Sequence, residues 1–118
     1  MSVSTASPLL APTTVAVAPT ETTVLAIARA NLRGARRVTI QVVNLDLTQS
    51  VAGGVYRKLN GMSAFALSEF IDFQSIVAGE SVMADIDVEG TDELELRLTA
   101  SGAGCDVEVA ATRKAASP

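Results

Sequence analysis

The chain has 118 residues, of which 19% are charged, with a net charge of −4 and a single cysteine, Cys105. One cysteine excludes an internal disulfide and a thiolate metal cluster, and the lack of histidine removes the commonest general base and metal ligand. A chain of this length forms one domain and buries roughly 65% of its unfolded surface. Since no apolar run approaches the roughly 18 residues of a membrane helix and no basic segment opens the chain, we expect neither a membrane span nor a signal peptide, and synthesis in the cytoplasm.

Charge is unevenly distributed along the sequence. Residues 1–58 hold six Lys or Arg against two acids, a net +4, and residues 59–118 hold three against eleven, a net −8. Two solvated sheet faces explain this pattern, and so does head-to-tail complementarity between copies of the chain. The acidic balance and the scarcity of aromatic residues disfavour nucleic acid as a partner.

Composition divides the chain into three parts. Residues 1–12 are small, polar and interrupted by proline, and we expect an extended N-terminal arm. Residues 13–114 carry the alternating patterns of a β domain. Residues 115–118 form a short tail.

Two short strands are predicted in the first part of the domain. Val15 and Val17 alternate with small and polar residues in a strand that ends at Pro19. Residues 20–29 form the second, with Leu25 and Ile27 on one face. The segment NLRGARR that follows predicts a turn or irregular link around its glycine.

Residues 37–47 are the strongest predicted strand. Val38, Ile40 and Val42 lie on one face, after which the apolar series changes phase to Val43, Leu45 and Leu47. Such a change predicts a β-bulge or a crossing between sheets.

The middle of the chain is marked by glycines. The Gly53-Gly54 pair predicts a bulge or bend, and Asn60-Gly61 a hairpin-type turn. Residues 62–77 fit a strand and loop better than a helix because they lack a capping box.

The acidic stretch MADIDVEGTDELELRL, residues 83–98, has two interpretations. Strands over 82–89 and 93–100, joined by the turn Gly90-Thr91-Asp92, form a hairpin with one acidic, solvated face. The alternative is a cation site, because crowded carboxylates repel and a cation relieves that repulsion. Its candidate ligands are Asp85, Asp87, Glu89 and Asp92.

An EF-hand does not fit that stretch. With Asp85 at position 1 of the calcium loop, the glycine at position 6 is Gly90, but position 12 is Leu96, which cannot be a ligand. We therefore predict no tight calcium dependence.

The last predicted strand covers residues 105–113. With it the chain has seven or eight short strands separated by turns, which predicts an all-β protein, an antiparallel β-sandwich or jelly-roll-like fold. The inward-facing series gives the predicted core: Ile40, Val42, Ile86, Leu94, Leu96, Leu98, Val107 and Val109.

No catalytic pattern is present in the sequence. There is no nucleophile elbow, phosphate loop or Cys/His metal spacing, and Gly102-Ala103-Gly104 precedes a strand rather than a helix. Asp106 and Glu108 beside Cys105 do not favour a reactive thiolate. We predict that the chain is not an enzyme and has no cofactor.

Two segments carry a family resemblance. Residues 36–58, RRVTIQVVNLDLTQSVAGGVYRK, and residues 93–114, ELELRLTASGAGCDVEVAATRK, together with the turn Gly79-Glu80-Ser81, resemble small β-sandwich virion proteins of tailed bacteriophages. In its size and its lack of a catalytic pattern, the chain is most similar to a capsid decoration, or cement, protein. The resemblance implies a structural role in the virion and the major capsid protein, or another virion protein, as partner.

The resemblance also implies lattice contacts or a homo-oligomer, with the arm lying along a partner. An arm that orders on docking must offset about 1–2 kcal/mol of backbone entropy per residue by burying apolar surface. The residues that we expect at the partner are Pro8, Leu9, Leu10, Arg33, Arg36 and Arg37. The alternatives are another minor virion structural protein, or a receptor- or carbohydrate-binding module built on the aromatic residues Tyr56, Phe65, Phe70 and Phe73.

Overall fold

The computed structural model describes residues 6–59, 61–69 and 73–115. In that part of the chain, eight strands form two four-stranded antiparallel sheets, and a short helix follows the second strand. The elements are β1 (Ala6–Val17), β2 (Thr22–Ile27), α1 (Arg29–Leu32), β3 (Ala35–Asn44), β4 (Val51–Lys58), β5 (Ala66–Glu69), β6 (Ser81–Asp87), β7 (Glu93–Ala100) and β8 (Cys105–Ala115). The prediction of an all-β sandwich is confirmed.

The strand order shows how the chain is wound. The first sheet has the order β1-β8-β3-β6 and the second the order β2-β7-β4-β5. Within the sheets β1 pairs with β8, β2 with β7, β3 with β6 and β4 with β5. This is the jelly-roll-like arrangement of a long antiparallel ribbon folded into two layers.

The core lies between the two sheets and follows the alternation of the sequence. In β7 every second residue is buried, and β3 alternates similarly. The eight predicted core residues are all buried, so that prediction is confirmed: Ile40, Val42, Ile86, Leu94, Leu96, Leu98, Val107 and Val109. Phe73 and Ile76, from the segment before β6, are also fully buried.

The predicted acidic hairpin is wrong. Both of its strands exist, but β6 pairs with β3 in the first sheet and β7 pairs with β2 and β4 in the second. The connection 88–92 therefore crosses from one layer to the other, with Val88 buried and Gly90 at a φ of 81°. Alternation fixes which face of a strand is buried, but not which strand it pairs with.

Of the two outcomes predicted from the change of phase after Val42, the β-bulge is absent, but a crossing between sheets does follow, since β3 lies in the first sheet and β4 in the second. The register of β3 with both β6 and β8 is unbroken from Arg37 to Val43, and the strand ends at Asn44. Leu45 and Leu47 lie beyond the strand in an exposed connection. Asn44, the last residue of β3, is buried instead, and its side-chain amide donates a hydrogen bond to the carbonyl of Gln49 in that connection.

The Gly53-Gly54 pair causes no bulge in the ladder with β7, which is regular from Val51 to Lys58. A Cβ atom at Gly53 would lie 1.8 Å from the carbonyl oxygen of Arg97. Glycine is required there because the backbone of β7 approaches closely.

The predicted boundary at residue 12 lies within β1. Residues 6–12 are extended, as expected of the arm, but they are paired with β8 from Ala6 opposite Lys114, with irregular register between Pro8 and Thr13. Residues 1–5, Asn60, Phe70 and most of the tail lie outside the described residues. A separate arm over 1–12 remains a prediction, although its second half belongs to a strand of the sandwich.

The connections divide between the two ends of the sandwich. The connections 18–21 and 45–50, the described residues 73–80 and the connection 101–104 meet at one end, where hydrogen bonds join Leu45 to Asp106 and Ser101 to Ser50. We call this the four-loop end. The connections 28–34 and 88–92 and the described residues 59 and 61–65 meet at the other, the three-loop end, where the amide of Asp92 donates to the carbonyl of Lys58. Within the described residues no helix is long and apolar enough to cross a membrane.

Candidate functional site

The four candidate cation ligands are separated by the fold. Asp85 and Asp87 lie on the outer face of the first sheet, and Glu89 and Asp92 lie in the crossing connection. Among the described residues, no three acidic or cysteine side chains are arranged to hold a metal ion. The geometry therefore gives the cation-site interpretation no support.

Each of these carboxylates has a partner within the chain. Asp85 lies 3.2 Å from the guanidinium of Arg37 and accepts a hydrogen bond from Thr39. The other contacts are Glu89 with Arg36 at 3.6 Å, Asp92 with Arg29 at 3.1 Å, and Asp87 with the backbone amide of Glu89 at 3.0 Å. The basic first half of the sequence and the acidic second half thus neutralise each other largely inside one molecule.

The predicted partner residues converge on the three-loop end of the first sheet. Ala6 at the start of β1 lies opposite Lys114, which is also opposite Arg37 in β3. Arg113 donates to the carbonyl of Arg33 at 3.3 Å and so holds the helical connection against β8. Arg33 and Lys114 are exposed, and neither side chain has an ion-pair or hydrogen-bond partner among the described residues.

The arm residues differ in their environment. Pro8 is exposed, whereas Leu9 and Leu10 are partly buried against the chain's own core. Their apolar surface is therefore already used in part within the sandwich.

The connection 45–50 at the four-loop end is unusually well fixed. The buried amide of Asn44 donates to the carbonyls of Gln49 at 2.8 Å and Ile76 at 3.0 Å, and its oxygen accepts from the amide of Asp46 at 3.0 Å. One side chain thereby ties together two connections and the end of β3. Because each bond satisfies a buried or partly buried group, this loop has little freedom to rearrange.

Asp46 fixes the tip of the same connection. Its carboxylate accepts hydrogen bonds from the backbone amides of Thr48 at 3.0 Å and Gln49 at 2.6 Å. These bonds favour the ionised form and hold the pKa of Asp46 below its ordinary value, with the Thr48 amide as the largest cause.

This ordered connection displays apolar side chains. Leu47 is 91% exposed at the tip, with Leu45 at 47% and Val77 at 52% on the same end of the sandwich. Glu80 and Asp106 are exposed beside them and have no ion pair within the described residues. The four connections at this end contain no Lys or Arg in the sequence. Apolar residues with an acidic rim are typical of a protein-binding surface.

The outer face of the first sheet has two adjoining hollows. One, of about 100 Å³, is lined by side chains of β3, β6 and β8, including Thr39, Met83, Ala110 and Thr112. The other, of about 70 Å³, borders Pro12 and Glu108. Both exist because small side chains on β8 lie between longer ones on the neighbouring strands.

The outer face of the second sheet carries an aromatic cluster around Arg97. The guanidinium lies 4.2 Å from the ring centroid of Tyr56 and 5.3 Å from that of Phe65, and it pairs with Glu95 at 2.9 Å and Glu21 at 3.5 Å. Cation–π contacts of this kind stabilise the face.

Cys105 is not a reactive group. The side chain is buried, and burial raises the pKa of its thiol, with a further contribution from the charges of Asp46 and Asp106. Cys105 therefore packs as a small buried hydrophobe, which agrees with the expectation that its thiolate is not favoured.

Sequence reasoning missed the residues that form the four-loop end. Leu45 and Leu47 were assigned to a continuing strand, although NLDLTQS carries the signal of a turn. Asn and Asp two positions apart, followed by Thr, favour side-chain hydrogen bonds to nearby amides. The hollow had no comparable signal, because it depends on which strands are neighbours.

Comparison with known proteins identifies the fold but no family. No protein-family model matches the chain, and no curated protein matches its sequence. A chain of the capsid structure of Helicobacter pylori bacteriophage KHP30 aligns with a TM-score of 0.55 at 10% identity, over 94% of this chain and 90% of that one.

Two other solved structures share the fold. A chain of the disulfide-linked pili of Bacillus endospore appendages aligns with a TM-score of 0.52 at 11% identity, over 96% of this chain and 92% of that one. The SPBc2 prophage-derived protein YomS gives 0.51 at 11% identity, over 91% and 97%. The structural neighbours thus include phage capsid and prophage proteins, and the similarity is one of fold.

Proposed function

We propose that the chain is a structural virion protein that decorates a phage capsid and stabilises it by bridging subunits of the major capsid protein. The proposal is carried by one observation. The start of β1 and two basic side chains without partners among the described residues, Arg33 and Lys114, lie together at the three-loop end. A segment that extends from this end, with charges still free to pair, suits attachment to another protein.

The fold and the chemistry of the surface support the same conclusion. The fold is shared with a phage capsid chain and a prophage-derived protein. The charged groups of the described residues are used in surface ion pairs and turn hydrogen bonds rather than gathered in a pocket that could perform acid–base chemistry. The residues that contact the capsid are, on this proposal, residues 1–5 together with Pro8, Arg33 and Lys114, and the protein is located in the virion.

Binding to capsids that lack the protein tests the proposal. Purified wild-type protein should co-sediment with such capsids and raise the temperature at which they release DNA. Arg33→Glu and deletion of residues 2–5 should each lower occupancy, whereas Thr23→Glu, a matched control on the second sheet, should not. If the wild-type protein did not bind the capsids, the decoration role would be excluded, and normal binding by both variants would exclude the three-loop end.

A receptor- or carbohydrate-binding module is the second candidate, favoured by the grouping of Tyr56 and Phe65 around Arg97. Titration with host-surface glycans, monitored by isothermal calorimetry, distinguishes it. Saturable binding that Tyr56→Ala abolishes would favour this candidate over decoration.

A further inference from the structure

We propose that copies of this chain associate head to tail, with Leu47 of one copy inserted into the larger hollow on the first sheet of the next copy. The inference goes beyond capsid decoration because it concerns a contact between copies that forms without the capsid. Three features support the inference: the exposed side chain of Leu47, which we call the knob, the hollow that would receive it, and the charges around them.

The knob is held ready to bind. Leu47 is 91% exposed at the tip of a connection fixed by Asn44 and Asp46 through five hydrogen bonds with Gln49, Ile76, Asp46 and Thr48 as partners. A backbone that is already fixed loses little conformational entropy on docking, so burial of the side chain that it carries contributes more to affinity. A fixed loop also keeps Leu47 from folding back onto its own sandwich.

The hollow matches a leucine side chain in size and chemistry. Its volume is about 100 Å³, and since a space of roughly 10–15 Å³ already holds one water molecule, it has room for the four carbons of the side chain. Its surface is mainly apolar, with Ala110 beside the polar residues Thr39, Gln41 and Thr112. Met83 forms one wall, and the flexible thioether can adapt to an inserted group.

Charge complementarity identifies the second copy as the occupant. Asp46 is adjacent to Leu47 in the sequence, and Glu80 and Asp106 lie at the same end of the sandwich, where the four connections contain no Lys or Arg. Along β8 the hollow lies between two charged residues: Lys114, two residues beyond Thr112 and exposed without an ion pair in the described part of the chain, and Glu108, two residues before Ala110. The acidic residues near the knob therefore favour the docking orientation in which they face Lys114 rather than Glu108.

The nearby charges also favour the larger hollow over the smaller one. The smaller one is lined by Glu108, which has no ion pair within the described residues and would repel the Asp46 carboxylate next to Leu47. In the larger one, the nearby Asp85 is already paired with Arg37.

The contact is heterologous, because the knob and the hollow belong to different surfaces of one molecule. Each copy can therefore donate a knob and accept another, which gives a ring if the rotation closes and an open chain if it does not.

Sedimentation equilibrium of the purified protein over a range of concentrations tests the contact. We expect reversible association of the wild type that weakens as ionic strength rises from about 0.1 M to about 1 M, where screening shortens the Debye length to about 3 Å. Leu47→Ala and Ala110→Phe, which fills the hollow, should each weaken association by about tenfold or more, equivalent to about 1.4 kcal/mol. Leu59→Ala, a matched control at an exposed leucine of the three-loop end, should not.

A mixture of the two defective variants gives the most specific result. The Leu47→Ala protein keeps its hollow and the Ala110→Phe protein keeps its knob, so together they form one intact contact. The mixture should therefore produce a one-to-one dimer and no larger species. Lys114→Glu, which retains the small side chain of Ala110, replaces Ala110→Phe if circular dichroism shows that the latter does not fold.

Three results would overturn the inference: a wild-type protein that remains monomeric at its solubility limit, association unaffected by Leu47→Ala, or a mixture that does not recover the dimer. Capsid binding is measured separately, so these results leave the decoration proposal to its own test.

Discussion

Two leucines with the same alternating sequence context have opposite environments. Leu96 is fully buried between the two sheets, while Leu47 is 91% exposed at the four-loop end. A leucine in a core contributes through its removal from water and through close packing, and neither applies to a side chain in solvent. Stability measurements on these two residues therefore distinguish a core role from a surface role.

Leu96→Ala should lower the free energy of unfolding by about 2–5 kcal/mol, because it removes a fully buried side chain and leaves a cavity. Leu47→Ala should change it by less than about 0.5 kcal/mol. Denaturant melts of the two variants and the wild type give both values. A large loss for Leu47→Ala would mean that this side chain is buried in solution.

Asn44 and Asp46 have structural roles that the alternation of apolar and polar residues does not predict. The pattern of β3 predicts buried apolar residues, and Asn44 is buried because its amide satisfies the carbonyls of two connections. A buried polar group is tolerated when its hydrogen bonds are complete, and their completeness depends on tertiary neighbours that are distant in sequence.

The order of the 45–50 connection should depend on the ionisation of Asp46. Since the folded-state pKa of this carboxyl lies below its ordinary value of about 3.9, its stabilising effect is present above that pH and is lost as pH falls through the lower folded value. The amide chemical shifts of Thr48 and Gln49 should therefore titrate together in that acidic range.

The Asp46→Ala protein should show faster amide hydrogen exchange at Gln49 at neutral pH, with the shifts no longer titrating. Asp106→Ala is the matched control, because Asp106 is exposed and accepts no side-chain hydrogen bond from the described residues. Unchanged exchange in Asp46→Ala would show that the loop is fixed without this carboxylate.

At the scale of elements, the sequence predicts strands better than their partners. The period of two located β6 and β7, and their buried faces, from local information. Their assignment to different sheets was not predictable, because a crossing connection such as 88–92 has the same turn residues as a hairpin. The opposite strand also decides whether Gly53 is needed, since the close atom is the carbonyl of Arg97.

Because strand pairing is not predictable from local sequence, the surface sites that depend on it were missed as well. The alternation of apolar residues and the spacing of the turns predicted the class of fold, and the basic residues near Arg33 were identified from local charge. The larger hollow and the four-loop end require knowledge that β3 lies between β6 and β8, which long-range pairing alone determines. Sites made by neighbouring strands are therefore the least accessible to sequence analysis.

For the whole molecule, folding converts a charge difference along the sequence into one between the two ends. Ion pairs such as Arg37–Asp85 and Lys58–Glu93 join the basic and acidic halves within the sandwich. Exposed pairs of this kind contribute little to stability, about 0–1 kcal/mol each. Among the described residues, three acids at the four-loop end have no ion pair: Asp46, Glu80 and Asp106. At the three-loop end four basic residues and one acid have none: Arg33, Arg57, Arg113, Lys114 and Asp87. Their separation orients the molecule toward its partners.

The N-terminal segment contributes to the fold and, on our proposal, to attachment, and two deletions separate these roles. Deletion of residues 2–12 removes the first half of β1, leaves β8 unpaired along that edge and exposes core surface under Leu9 and Leu10. We expect a clear drop in the denaturation midpoint, because this variant loses ladder hydrogen bonds and apolar burial. Deletion of residues 2–5 ends before β1 and should leave the midpoint unchanged while lowering capsid occupancy. Equal midpoints for the two deletions would show that residues 6–12 add nothing to the sandwich, and they would then act as the separate arm that the sequence predicts.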